Sequence, residues 1–241
     1  MQNYRIISNS ICFWPKDPIG IIEFIGGSYL GSNPEITYKR FINYITEFNF
    51  AVHAWRYIPK FDHQEHAINA WKSFKICKRK LQERRPYLKK IIRVGHSLGC
   101  KLHFIAPDGG RNCDYQVSIS FNNFNASESI PFLKRISQKL NLQSEFSPSP
   151  LETLNIISKT YIQRNNLLVK FNNDQIDQSL DLIQLLKKRE ADNSNLIKLE
   201  GEHLSLASAG IREKYFGNWA DDNFKRKIIK DLAKEIVYLK T

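Results

Sequence analysis

Two rhythms of apolar residues alternate along the chain. "GIIEFIGG" (20–27), "FAVHAWRY" (50–57), "KIIRV" (90–94), "YQVSISF" (115–121), "NLLVKF" (166–171) and "NLIKLEG" (195–201) are short apolar runs rich in β-branched and aromatic residues, as buried strands are. Between them lie stretches with a helical period. In 33–48, Tyr38, Phe41, Ile42, Ile45 and Phe48 recur at three and four residues, with Asn33 as a cap and Pro34 at the first helical position. Residues 62–84 carry Ala67, Ile68, Trp71, Phe74 and Leu81 at the same spacing, closed by Pro86. Further helices are expected over 98–106, 179–190 and 219–239, while 122–160 reads as irregular or partly helical.

Strands that alternate with helices of this length predict an α/β fold with a mainly parallel sheet covered on both faces. No repeat, low-complexity tract or Gly/Ser linker interrupts the pattern, so residues 1–241 are expected to form one domain. In such sheets the strand-to-helix joints gather at the carboxyl ends of the strands, where ligands bind.

Composition adds two constraints. The four cysteines have no CxxC spacing and read as reduced thiols, and no apolar window is long enough for a membrane span. With no basic start and long apolar core at the N-terminus, a soluble, cytoplasmic protein is expected. The net charge of +12 is concentrated in 71–93 and 224–240. Such charge suits an anionic membrane surface or an acidic partner, or is simply a solvated helix face. Nucleic acid is disfavoured, because no recognition motif accompanies the charge and the aromatics fall at core-like spacings.

Chemistry concentrates at "IIRVGHSLGCKLHF" (91–104), where a strand runs into Gly95-His96-Ser97-Leu98-Gly99 and then a helix. Glycines on both sides of a serine let strand and helix approach closely and leave the hydroxyl exposed at the sheet's edge. A nucleophile elbow and a plain helix cap are both compatible with the five residues; the strand–turn–helix setting favours the elbow. The amides starting at Leu98 favour a developing oxyanion.

A serine nucleophile needs a base. His53 lies inside a strand, His103 points away along the helix, and His96 leaves on another side of the turn. His63 and His66 sit at a loop or helix start, either lining a pocket or lying on the surface. His203, in "LIKLEGEHLSL" just after the last strand, is placed to swing over the sheet's edge. The carboxylate that would orient it is Asp174, just past the strand "NLLVKF", with Asp177 the alternative acid unless it caps the next helix, and Glu128 third. Two backbone donors are expected to form an oxyanion hole: Leu98 and, from the glycine loop after the first strand run, Gly27, with Ser28 as the near alternative. No metal or organic cofactor is called for.

Together "FIGG", "GHSLG", the acid after "LLVKF" and "GEH" after the last strand resemble the α/β-hydrolase superfamily over nearly the whole chain. More narrowly, "GIIEFIGGSYLGSNPEITYKRFI", "GHSLGCKLH", "SISFNN" and "SIPF" resemble an α/β-hydrolase-like family of cyanobacteria and plastids. That resemblance implies a cytosolic or plastid-stromal setting. Two departures stand out: Ile25-Gly26-Gly27 lacks the His-Gly pair common in superfamily esterases, and Asn172 replaces the usual glycine of the acid loop.

Residues 122–160 fall where the superfamily often inserts a cap. Phe124, Ile130, Phe132, Leu133 and Phe146 would give it an apolar underside for an acyl chain, or a small core of its own. The expected activity is hydrolysis of a small-molecule ester or thioester through an acyl-enzyme, with transfer to another acceptor using the same residues. A non-catalytic lipid- or partner-binding protein on the same scaffold is the rival reading.

Overall fold

The computed structural model describes residues 4–126, 145–207 and 223–239. Eight strands form one sheet in the order β1-β2-β4-β3-β5-β6-β7-β8. They are β1 (Tyr4–Ile7), β2 (Ser10–Phe13), β3 (Gly20–Ile25), β4 (Phe50–Trp55), β5 (Ile91–His96), β6 (Tyr115–Ile119), β7 (Asn166–Phe171) and β8 (Asn195–Leu199). Strands β3 to β8 run parallel; only β1 and β2 are antiparallel to their neighbours. The arrangement is the α/β-hydrolase fold.

The initial hairpin was not expected from the pattern. β1 is too exposed to show an apolar run, and the two strands are only four residues each. β8 is likewise only half-buried, as befits an edge, and not the interior strand its sequence suggests.

Among the described residues seven α-helices connect or cover these strands: α1 (Pro34–Thr37), α2 (Lys39–Glu47), α3 (His63–Gln82), α4 (Leu98–Phe104), α5 (Pro150–Thr160), α6 (Ser179–Leu186) and α7 (Asn223–Val237). The helix expected over 33–48 is broken at Tyr38, whose buried ring is turned inward beneath the sheet's edge. Asn33 precedes the first turn but makes no side-chain cap bond.

Alternation along the strands sorts side chains to two faces. Ile22, Phe24, Ile92, Val94 and Val117 meet the apolar faces of α2 and α7. On the other face Ile25, Trp55, Leu98, Leu102 and Phe74 join α3 and α4, and a neighbouring cluster packs α4, α5 and α6 together. Within β5, Arg93 is a cation buried in the sheet. Its guanidinium pairs bidentately with Asp108 at 2.8 Å for both bonds, while Nε donates to Glu23 at 3.0 Å, so the charge is fully partnered.

From β3 the chain moves outward to β4, then returns to lay β5 on the other side. This reversal opens a crevice at the carboxyl ends of β3 and β5. Gly27 and Ser97 stand on its two lips.

Candidate active site

Ser97 sits between β5 and α4 with φ 54° and ψ −123°. A left-handed conformation strains a residue with a Cβ by about 1–3 kcal/mol and persists only where the surroundings impose it. Here the Ser97 amide donates to Ile119 at 2.9 Å. Strand and helix also close on each other through glycines: a Cβ at Gly95 would lie 2.5 Å from the Cys100 amide nitrogen, and one at Gly99 only 2.0 Å from the Ile25 carbonyl oxygen. Ser97 makes no side-chain cap bond to α4. Its hydroxyl is turned to other groups.

His203 Nε2 lies 3.0 Å from Ser97 Oγ, and His203 Nδ1 lies 2.8 Å from Asp174 Oδ2. An ionised Asp174 accepts from Nδ1–H, which leaves the Nε2 lone pair facing the serine hydroxyl. Burial acts to raise the Asp174 pKa, but the hydrogen bond from His203, followed by the influence of Ser120, the His203 charge and the Ile176 amide, outweighs it, so the carboxyl is held below its ordinary range. Asp177 is engaged elsewhere. It accepts from the Ser179 amide at 2.7 Å at the start of α6 and lies 3.7 Å from Lys170, while burial raises its pKa. Glu128 lies outside the described residues, as do Ile130, Phe132 and Leu133.

The glycine loop departs from expectation at one atom. The Gly27 N–H donates to Tyr38 Oη at 2.8 Å, so it is not free for a ligand. Ser28, the near alternative, lines the cavity beside Ser97 together with Leu98. Gly27 remains important for a different reason: a Cβ there would press to 3.1 Å from the Ser97 Cβ and 3.3 Å from His96 Nδ1.

Two further residues at the site were not singled out from the sequence. Asn122, just beyond β6, donates from Nδ2 to Ser97 Oγ at 2.9 Å. The only signal for it was its place at a strand's carboxyl end. Tyr38 is the other. Because its oxygen accepts from Gly27, its proton goes to His96 Nδ1 at 2.9 Å, and His96 Nε2–H then donates to the His203 carbonyl at 2.8 Å. His96 therefore does leave the turn on another side, but toward the loop that carries His203. Burial, followed by the nearby His203, lowers its pKa to about 3, so the ring stays neutral as this chain of bonds requires.

The other histidines are buried as well. His53 accepts from Trp14 Nε1 at 3.0 Å, and His66 accepts from the Lys60 amide at 3.0 Å. His63 is no surface residue; it lines the cavity that opens at Ser28, Leu98 and Asn122. Phe61, Phe124 and Phe146 form aromatic walls there, and Lys101 and Lys60 add cations. Of the residues expected to give the cap an apolar underside, Phe124 and Phe146 do line the cavity, alongside cations from outside the cap.

A left-handed serine on a strand–helix turn, in line with an imidazole and a carboxylate, sits on an eight-stranded α/β sheet that defines an α/β-hydrolase-fold protein. The solved structures similar to it share that fold. A carboxyl esterase 2 from the mycorrhizal fungus Tuber melanosporum is 18% identical, with TM-score 0.58 over 94% of this chain and 82% of its own. A lipase-esterase related protein from Clostridium acetobutylicum is 15% identical, with TM-score 0.59 over 95% and 98%. A thioesterase domain from the curacin biosynthetic pathway is 12% identical, with TM-score 0.55 over 98% and 99%. No curated protein matches the chain by sequence. Residues 3–238 match the family described as "Protein of unknown function (DUF1350)", and the chain belongs to that family. Among the described residues no helix is long and apolar enough to cross a membrane.

Proposed function

We propose that this protein is a serine hydrolase of small-molecule carboxylic esters or thioesters. The observation that carries the reading is the continuous line from Ser97 Oγ to His203 Nε2, at 3.0 Å, and from His203 Nδ1 to Asp174, at 2.8 Å. Distances in that range are those of a nucleophile, a general base and its orienting acid.

Ser97 Oγ attacks the acyl carbonyl while His203 Nε2 accepts its proton. The imidazolium so formed is stabilised by Asp174, then returns the proton to the departing alkoxide or thiolate. Water repeats the sequence on the acyl-enzyme and regenerates the hydroxyl; an alcohol or thiol acceptor would use the same groups. The amides of Leu98 and Ser28 face the developing oxyanion, Ser28 replacing Gly27 because the latter is bonded to Tyr38. The strained backbone at Ser97 supports this role, since it projects the hydroxyl into the crevice instead of onto the helix. That similar folds include proteins called esterases and a thioesterase agrees with the reading.

An activity-based fluorophosphonate probe tests it. Wild type should be labelled, and Ser97→Ala should not. Equal labelling of both proteins, or none of either, would remove Ser97 from the chemistry.

A further inference from the structure

The cavity beside Ser97 has a volume of about 160 Å³. At roughly 30 Å³ per water-sized group, that is room for about five such groups, enough for a short acyl group. Its inner wall carries Lys101, which is only 1% exposed. Lysine is rarely buried so completely without a carboxylate partner. Here the ammonium donates to the Pro148 carbonyl at 2.8 Å and lies 5.9 Å from the centre of the Phe146 ring. No salt bridge to it is formed among the described residues, so a carbonyl and a ring face at 5.9 Å are a thin replacement for its lost water.

A second group stands in the same wall. His63 is 3% exposed and stacked on Phe146, with ring centroids 4.2 Å apart, and its Nδ1 has no hydrogen-bond partner. An orphaned polar atom beside an under-partnered cation is what a site for a polar ligand looks like when described without it.

The placement relative to Ser97 is specific. Lys101 follows the nucleophile by four residues, about one helical turn or 6 Å of rise. Side chains on a helix lean toward its N-terminus, so Lys101 leans back toward Ser97 and shares the cavity with Leu98. The cavity is thus lined both by the proposed oxyanion donors with Asn122 and by a buried cation. We propose that the acyl group cleaved by this protein is short and ends in a carboxylate, as in a half-ester or half-thioester of a four- or five-carbon diacid, with Lys101 and His63 receiving that carboxylate. The proposal rests on the hydrolase reading above and narrows its substrate class.

Charge supports the assignment. Burial lowers the Lys101 pKa to about 8, against the opposing influence of Glu145 and Glu152, so the group remains mainly protonated at neutral pH while held in a poorly solvated place. An incoming carboxylate would relieve that penalty.

The test compares mono-(4-nitrophenyl) succinate with 4-nitrophenyl butyrate, which match in chain length and differ in the terminal charge. Wild type should favour the succinate ester in kcat/KM by roughly tenfold or more, the size of one charge-assisted hydrogen bond. Lys101→Met should abolish that preference while keeping fluorophosphonate labelling of Ser97. Raising the salt should leave the preference largely intact, because general attraction by a chain of net charge +12 is screened and a buried contact is not. If Lys101→Met does not fold, inhibition of wild type decides: succinate should inhibit butyrate-ester turnover at least tenfold more strongly than butyrate does. Labelled wild type with no succinate preference, or equal losses on both esters in Lys101→Met, overturns this inference and leaves the hydrolase reading standing. Absence of labelling overturns both.

Discussion

His96 and His203 are linked ring to backbone, the Nε2 of the first lying 2.8 Å from the carbonyl of the second. The residue before the nucleophile therefore holds the loop that bears the proposed base. Tyr38 completes the connection by bonding to both Gly27 and His96, so three loops that meet at Ser97 share one buried polar chain.

Tyr38→Phe should expose how far that chain matters. The substitution keeps the ring but leaves the Gly27 N–H and His96 Nδ1 buried and unpaired, at a cost of about 1–3 kcal/mol in unfolding free energy. Denaturant titration measures this. At temperatures where the variant is fully folded, its kcat on 4-nitrophenyl butyrate should still fall several-fold, with KM little changed. Wild-type turnover from a destabilised variant would make the chain purely structural.

Asp174 and Asp177 are three residues apart and should behave oppositely. Under the proposed mechanism Asp174→Asn leaves His203 with the wrong tautomer, and kcat should drop by about 10³–10⁴. Asp177→Asn keeps an acceptor for the Ser179 amide and should cost less than about 1 kcal/mol of stability, with near-normal turnover. Parallel steady-state kinetics and thermal melts separate the two.

Two glycine substitutions distinguish a crowded site from a crowded fold. Gly99→Ala drives a Cβ to within 2.0 Å of a backbone oxygen of β3, which no rotamer change relieves. It should cost more than about 4 kcal/mol and yield little folded protein. Gly27→Ala meets its neighbours at 3.1 Å and 3.3 Å, a contact that small shifts absorb. That variant should fold, yet lose about tenfold to a hundredfold in kcat as Ser97 and His96 are displaced. Soluble yield and circular dichroism report the first effect, kinetics the second.

Acid should unfold the protein through its histidines. Burial lowers the pKa of His53, His63, His96 and His103 to about 3 from an ordinary value near 6.5. Above pH 6.5 both folded and unfolded chains carry these rings neutral, and they exert no pull. As the pH falls below 6.5 the unfolded chain takes up protons that the folded one refuses, so stability drops until about pH 3. Each such proton adds about 1.4 kcal/mol per pH unit to the slope. Urea midpoints measured between pH 7 and pH 5 should fall steeply; a flat profile would mean that the buried rings ionise in place.

The central strands and most helices were legible because their signals are local. A continuous apolar run such as 166–171 and a three–four repeat such as that around Phe74 need no knowledge of the rest of the chain. The elbow at Ser97 was legible for the same reason, as its glycines sit beside it. What could not be read is what depends on a neighbour. β1 is four residues long and exposed, and β2, though buried, is only four residues long and begins with a serine, so neither leaves a pattern of its own. A tyrosine on a helix face counts as core until its hydroxyl is seen between Gly27 and His96, and only then does the Gly27 amide prove to be occupied. Asn122 is one polar loop residue among many until β6 lies beside β5.

By itself the sequence determined a parallel α/β sheet, a serine on a glycine-flanked turn, and a short set of partners ranked by their nearness to strand ends. Tertiary structure decided which partner is in reach: His203 and Asp174 close on Ser97, Asp177 is held at a helix start, and Lys101 faces a cavity. The reason is range. Helical and strand periods arise within a few residues, whereas hydrogen bonds and burial act between groups that the fold brings together from more than a hundred residues apart.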